Sequence, residues 1–133
     1  MKVYMNYVIL VSDFSNHSEN SISAFLFSQA LLSAGHILKN VFFFYNGVFD
    51  ANKMLILPSD RFNASLEWEN LSNIHNIPLY VCSSASLERG IFSHNELKNI
   101  DHVKFVNLSS SFKFIGYTEW LLDVVQCDRL IQF

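Results

Sequence analysis

Cys82 is the side chain that the sequence places best for chemistry. It ends an apolar run typical of a buried strand, and Ser83 and Ser84 follow it as the start of a polar turn into a helix. In open α/β sheets, ligands bind beyond the carboxyl ends of the strands. Backbone N–H groups at the start of a helix stabilise a thiolate, and Arg89 lies one or two turns further along. The sequence therefore predicts a reactive, accessible thiol at Cys82, with a buried structural cysteine as the alternative.

The second cysteine and the histidines give weaker signals. Cys127 precedes a terminal apolar run and is interpreted as structural. Two cysteines are too few for a disulfide scaffold, and their spacing fits neither a redox motif nor a zinc motif. No metal site is expected, because the scattered histidines form no metal-binding pattern; they are His17, His36, His75, His94 and His102. Only His17 is expected near the carboxyl end of a strand, where a cysteine–histidine hydrolase would need it.

Apolar runs and helical periodicities alternate along the whole chain. The predicted strands cover residues 7–11, 37–45, 79–82, 103–108 and 128–133. The predicted helices lie within residues 18–35, 63–76, 83–90, 94–100 and 112–125, and a long ordered loop is predicted over residues 48–62. This alternation predicts an α/β fold with a mostly parallel sheet covered by helices on both faces. No repeat or linker interrupts the pattern, so residues 1–133 are predicted to form a single domain.

The composition limits the classes of function. The chain has 133 residues and a mass of 15.3 kDa; 50% of its residues are hydrophobic, 16% are charged, and the formal net charge is −3. These values exclude a disordered protein and disfavour direct nucleic-acid binding. The apolar excess fits either a Phe-rich core or a face buried against other subunits. No apolar run approaches the ~20 residues of a membrane span, and no secretory signal is evident, so we expect a cytoplasmic protein with reduced cysteines.

Several segments of the chain resemble one protein family. Residues 41–52 (VFFFYNGVFDAN) resemble the family segment V-F-F-Y-x-x-G-V-x-x-A-N, and residues 23–31 fit its pattern S-A-F-x-F-x-Q-A-L. Residues 79–90 look like the turn that carries the family's active cysteine, and residues 127–133 fit its ending C-D-R-x-x-Q-F. In order and spacing, these segments are similar to the TusD subunits of the DsrE-like sulfur-relay family.

This resemblance implies a fold, an activity and partners. The fold is a three-layer α/β/α arrangement around a mostly parallel five-stranded sheet, the same strand number as predicted above. The activity is that of a sulfurtransferase subunit in which Cys82 accepts a persulfide sulfur from an upstream TusA-like donor. A downstream TusE-like acceptor then receives the sulfur for 2-thiolation of a tRNA wobble uridine, without direct tRNA binding. TusB-like and TusC-like subunits are the implied partners in a heterohexamer, and no cofactor is implied because sulfur is the cargo.

Two segments depart from the family pattern and keep other hypotheses open. Residues 12–16 stand where the family usually has a turn containing Gly-Pro, and residues 99–114 match poorly. Because the first segment should lie near Cys82, a structural subunit with an inactive cysteine is one alternative. A flavodoxin-like ligand-binding module is the other, because the polar residues 12–21 could hold an anion. The absence of a Gly-rich phosphate motif disfavours a bound nucleotide.

Overall fold

A parallel sheet organises the fold. The computed structural model describes residues 3–97 and 105–133. Within these ranges the strands are β1 (Asn6–Val11), β2 (Ile37–Phe43), β3 (Leu79–Cys82), β4 (Phe112–Ile115) and β5 (Arg129–Gln132). All neighbouring pairs among them run parallel, in the order β4-β3-β2-β1-β5. The carboxyl ends of β1, β2 and β3 therefore meet at one edge of the sheet, which we call the carboxyl edge.

The helices connect successive strands. They are α1 (Asn20–Ser33), α2 (Ala64–His75), α3 (Ser83–Glu88), α4 (His94–Leu97) and α5 (Tyr117–Val124), with a 3-10 helix over Tyr45–Ala51. The side chain of Asn63 caps α2 by accepting a hydrogen bond from the backbone N–H of Leu66. Asn76, in the left-handed conformation with φ of 55°, ends the same helix.

The two faces of the sheet carry separate helical layers. Consecutive side chains of a strand point to opposite faces, so the fully buried Phe42 and Phe43 of β2 mark the two sides. Trp120 of α5 stacks on Phe42, with ring centroids 4.5 Å apart. Trp68 of α2 meets Phe43 edge-on at 5.5 Å, and Phe25 of α1 packs on the same indole ring at 5.4 Å. The predicted three-layer α/β/α fold with a five-stranded sheet is confirmed, and its described strands are all parallel.

Two predictions in the C-terminal part are wrong. The single helix predicted over residues 112–125 divides into the strand β4 and the helix α5, which meet at Gly116. The reason is that the four residues of β4 are too few to show a strand period beside a longer apolar run. The strand predicted over residues 103–108 is absent from its described part, where only Leu108 forms an isolated antiparallel bridge, to Asn52. Residues 103 and 104 lie outside the described residues.

The segment after β2 also differs from the prediction. The strand ends at Phe43 instead of residue 45, and the predicted loop over residues 48–62 begins as part of the 3-10 helix. Gly47 allows this helix to lie directly on the end of β1, because a Cβ atom on Gly47 would come within 2.2 Å of the carbonyl oxygen of Val11. The helix predicted over residues 94–100 is observed at His94–Leu97, and its remaining residues lie outside the described ranges.

Candidate functional site

Three segments meet at the carboxyl edge of the sheet. Residues 12–19 follow β1, the 3-10 helix follows β2, and α3 follows β3 without an intervening loop. The 3-10 helix packs against both β3 and α3, so it lies in the centre of this edge. The predicted position of the site, beyond the carboxyl ends of parallel strands, therefore contains residues from all three connections.

Cys82 is the junction between β3 and α3. It is the last residue of the strand, paired with Ile115 of β4, and its extended conformation (φ −63°, ψ 118°) makes it the N-cap residue of α3. This is the strand-to-helix position that the sequence predicts. The helix is only six residues long, so its dipole stabilises a thiolate less than a longer helix would.

The sulfur atom of Cys82 is buried next to an exposed polar residue. The residue is 3% exposed, so the expected open thiol is not observed in the isolated chain. The Sγ atom lies 3.4 Å from the hydroxyl oxygen of Ser84, and Ser84 is an exposed residue. The sulfur therefore contacts a polar side chain of an exposed residue and is not surrounded by hydrocarbon alone.

The side chain of Arg89 connects two segments of the site, and its positive charge is engaged in these contacts. Its Nε donates to the side-chain oxygen of Asn46 at 3.1 Å, and a terminal guanidinium nitrogen donates to the backbone carbonyl of Ala85 at 3.1 Å. The guanidinium carbon also lies 4.7 Å from the ring centroid of Tyr45. These contacts join the end of α3 to the segment after β2. Sequence reasoning anticipated a positive charge here but missed Tyr45 and Asn46 as its partners.

The segment after β1 is tied to the same edge by a buried carboxyl group. Asp50 of the 3-10 helix is 1% exposed, and its Oδ1 accepts hydrogen bonds from the backbone N–H and the hydroxyl of Ser15, at 3.0 and 2.9 Å. Burial raises the pKa of Asp50, and hydrogen bonds donated by Ser21 and Ser15 oppose this rise. Sequence reasoning missed Asp50, because an aspartate in a segment without a period carries no sign of burial.

His17 does not join Cys82. Its Nδ1 lies 2.7 Å from a carboxylate oxygen of Asp13, and its ring stacks on Phe14. Partial burial raises the pKa of Asp13, but hydrogen bonds from His17 and from the Phe14 N–H outweigh this effect, so the pKa is lowered overall. Within the described residues the structure records no contact between His17 and Cys82. A cysteine–histidine hydrolase is therefore not supported.

The segment after β1 also fails to form an anion cradle. A phosphate-binding loop offers free backbone N–H groups, whereas here the N–H of Phe14 donates to Asp13 and the N–H of Ser15 donates to Asp50. The two carboxyl groups would also repel a phosphate. This arrangement disfavours the flavodoxin-like alternative.

Cys127 lies far from Cys82 in the topology. It precedes the amino end of β5, whereas Cys82 stands at the carboxyl end of β3, so the two thiols occupy opposite ends of the parallel sheet. Both cysteines are free. Cys127 is half-buried and packs against the hydrophobic core, which is consistent with a structural residue.

The described parts of the chain contain neither a metal-binding cluster nor a membrane-spanning helix. There, no three His, Cys, Asp or Glu side chains lie close enough together to hold a metal ion. Among the same residues, no helix has the length and apolar character that crossing a membrane requires.

Comparisons with known proteins agree with this architecture. The protein named Sulfurtransferase TusD from Buchnera aphidicola subsp. Acyrthosiphon pisum (strain APS) is 44% identical over 129 residues, which cover 97% of this chain and 100% of that protein. The protein of the same name from Pectobacterium carotovorum (strain PC1) is 35% identical over 129 residues, covering 97% and 99%. The crystal structure of the ychN protein from E. coli superimposes with a TM-score of 0.72 at 16% identity, covering 97% of this chain and 100% of that one, and so shows the same fold.

The same comparisons bear on function. Full-length relatives from several bacteria share the name Sulfurtransferase TusD, which confirms the predicted sulfurtransferase function. Because residues 5–133 match the DsrE/DsrF-like family, the chain belongs to that family.

Proposed function

We propose that Cys82 is the residue that carries sulfur as a persulfide, and that residues 1–133 act as a single sulfur-carrier domain. The observation that carries this proposal is the position of Cys82 at the strand-to-helix junction of the carboxyl edge, with its sulfur 3.4 Å from the hydroxyl of the exposed Ser84. Cys127, at the other end of the sheet, serves packing.

The sulfur transfer is a displacement at sulfur. The Cys82 thiolate attacks the outer sulfur of a donor persulfide, R–S–SH. A new S–S bond forms to Cys82 while the S–S bond of the donor breaks, and its electron pair leaves on the donor as the thiolate R–S⁻. The hydrogen stays on the transferred sulfur, so the product is Cys82–S–SH and no external oxidant or reductant is needed. Delivery to an acceptor thiolate repeats the same step in the opposite direction.

The relay defines the partners of this chain. The donor is a TusA-like protein, the acceptor is a TusE-like protein, and TusB-like and TusC-like subunits complete a heterohexamer in the cytoplasm. The outer side of α5 and the residue that follows it support burial against other subunits, because Leu122 and Val125 are 63% and 78% exposed. The net charge of −3 supports a role without direct tRNA binding. No cofactor is required, because the transferred atom is itself the cargo.

A loading experiment tests the assignment of Cys82. The complex is incubated with a persulfide-loaded donor protein, and intact-protein mass spectrometry follows this chain. We expect the mass of one added sulfur atom in the wild type and in Cys127→Ser, and no addition in Cys82→Ser. Loading of the Cys82→Ser variant, or its loss in Cys127→Ser, would assign the sulfur to another residue.

The low exposure of Cys82 favours a second candidate, a structural subunit with an inactive cysteine. Residues 12–16 at the same edge depart from the family pattern, which also favours this candidate. This candidate predicts that the Cys82→Ser complex assembles and passes sulfur to the acceptor at the wild-type rate. Assembly combined with a loss of sulfur delivery supports the carrier role instead.

A further inference from the structure

The hydroxyl group of Ser84 is the polar contact that the structure gives to the sulfur of Cys82. The two atoms lie 3.4 Å apart, within hydrogen-bonding distance for sulfur. A thiol and a hydroxyl can exchange donor and acceptor roles, whereas a thiolate can only accept. Once Cys82 ionises, the direction of the hydrogen bond is therefore fixed, and Ser84 donates.

Ser84 is not needed for the helix in which it lies. The N-cap position of α3 belongs to Cys82, so Ser84 stands inside the first turn, where a serine hydroxyl no longer caps the helix start. Serine is also a weaker helix former than alanine at such a position. Its side chain is exposed but turned back toward the sulfur. Helix stability therefore gives no reason for this contact.

We propose that Ser84 is a catalytic residue of the sulfur relay, whose hydroxyl stabilises the Cys82 thiolate before loading and after delivery. This inference rests on the proposed carrier role of Cys82. In both directions of transfer, the sulfur bonded to the Cys82 Cβ is the atom that gains or releases the electron pair. A hydrogen-bond donor beside that atom stabilises negative charge on it, and the step itself needs no proton transfer to or from Ser84.

The same contact allows an alternative role, in which Ser84 only covers the sulfur. Cys82 is 3% exposed, Ser84 is an exposed residue, and the two side chains lie 3.4 Å apart. The experiment therefore has to separate covering of the sulfur from stabilisation of the thiolate.

Three variants separate stabilisation from access. Ser84→Ala removes the hydroxyl, Ser84→Thr retains it, and Ser83→Ala removes a neighbouring hydroxyl for which the described residues show no contact with the sulfur. Ser84→Ala should fold, because the position is an exposed helical site where alanine is favourable. The readouts are the pH dependence of Cys82 alkylation by iodoacetamide in a Cys127→Ser background, and the rate of persulfide loading from glutathione persulfide.

The expected results are specific to a donated hydrogen bond. Loss of one hydrogen bond to a charged group should move the midpoint of the alkylation profile of Ser84→Ala to higher pH and slow loading at neutral pH about tenfold. Ser84→Thr and Ser83→Ala should behave as the wild type. A faster plateau with an unchanged midpoint would show that Ser84 only covers the sulfur and would overturn the proposal.

Failure of the proposed role of Ser84 can be distinguished from failure of the proposed carrier role of Cys82. If Cys82→Ser still loads sulfur, the carrier assignment itself is wrong. If Cys82→Ser does not load sulfur and Ser84→Ala loads at the wild-type rate, the carrier assignment stands and the role of Ser84 is refuted.

Discussion

Replacing Arg89 with methionine should destabilise the protein through a small set of contacts at the carboxyl edge. The guanidinium group makes two hydrogen bonds, to the side chain of Asn46 and to the backbone of Ala85, and it lies over the ring of Tyr45. Tyr45 has φ of 52°, a conformation that costs a non-glycine residue roughly 1 kcal/mol or more. The contacts of Arg89 help to hold the segment after β2 in this conformation.

The magnitude follows from these contacts. Each hydrogen bond contributes about 1 kcal/mol, and the contact with the ring contributes about 0.5–1 kcal/mol. The neighbouring Glu88 adds little, because its carboxylate lies 3.5 Å away and its side chain is 75% exposed. Methionine keeps most of the apolar stem, so packing changes less than it would with alanine. The free energy of unfolding should therefore fall by about 2–3 kcal/mol in Arg89→Met.

Urea unfolding measures this loss, and alkylation of Cys82 measures its local consequence. Because Arg89 anchors the end of α3, its removal should also raise the native-state rate of Cys82 alkylation by about tenfold or more through local opening. Arg89→Lys should fall between the wild type and Arg89→Met, because a cation remains but the planar fork is lost. Arg61→Met serves as the control, since Arg61 is exposed. An Arg89→Met variant within about 0.5 kcal/mol of the wild type would refute the reasoning.

Three further predictions concern residues that hold the edge and the layers together. Gly47→Ala should lower the free energy of unfolding in urea by at least about 2 kcal/mol, because the new Cβ would meet the backbone of Val11; a neutral result would show that the two segments separate easily. Asn40→Leu should cost about 2 kcal/mol in the same assay, since it leaves the buried Trp120 N–H without its 3.1 Å acceptor, and a loss below about 0.5 kcal/mol would contradict this. Asp50 has a raised pKa in the folded state, so the folded chain binds more protons than the unfolded chain between about pH 4 and that pKa. The free energy of unfolding should therefore fall as the pH rises through this window, and Asp50→Asn should not show this fall. Parallel stability profiles of the two proteins would refute this prediction.

Most elements in the first two-thirds of the chain could be predicted, because the sequence patterns that indicate them are local. A run such as residues 7–11 is apolar at every position and fits a strand covered on both faces, as β1 proves to be. The first predicted helix, within residues 18–35, is observed as α1, and Gly35 just beyond it has a positive φ of 86° that suits a helix end. The C-terminal part was predicted less well, because the short strand β4 and the helix α5 are adjacent and similar in apolar content.

The details of the site could not be predicted, because they depend on contacts between distant segments. Cys82 was found from its place after a strand, which is a local property. The partner of Arg89 is Asn46, 43 positions earlier, and the partner of Asp50 is Ser15, 35 positions earlier. Pairings at such separations follow from the strand order, which no single segment of the sequence specifies. Ser84 stands only two residues after Cys82 in the sequence, but its contact with the sulfur also required the structure, because only the turn into α3 shows that its hydroxyl faces Sγ.

The low exposure of Cys82 is compatible with a carrier that works inside a complex. A persulfide is reactive toward many thiols, so a sulfur open to solvent would lose its cargo before the acceptor arrived. A sulfur buried deeply in hydrocarbon would be protected but could not ionise or meet a second protein. Cys82 lies between these limits, because the residue is buried in the sheet while its sulfur contacts the hydroxyl of the exposed Ser84. A carrier of this kind exposes its sulfur only when a partner docks at the carboxyl edge, so the low exposure of Cys82 in the isolated chain does not contradict the proposed role.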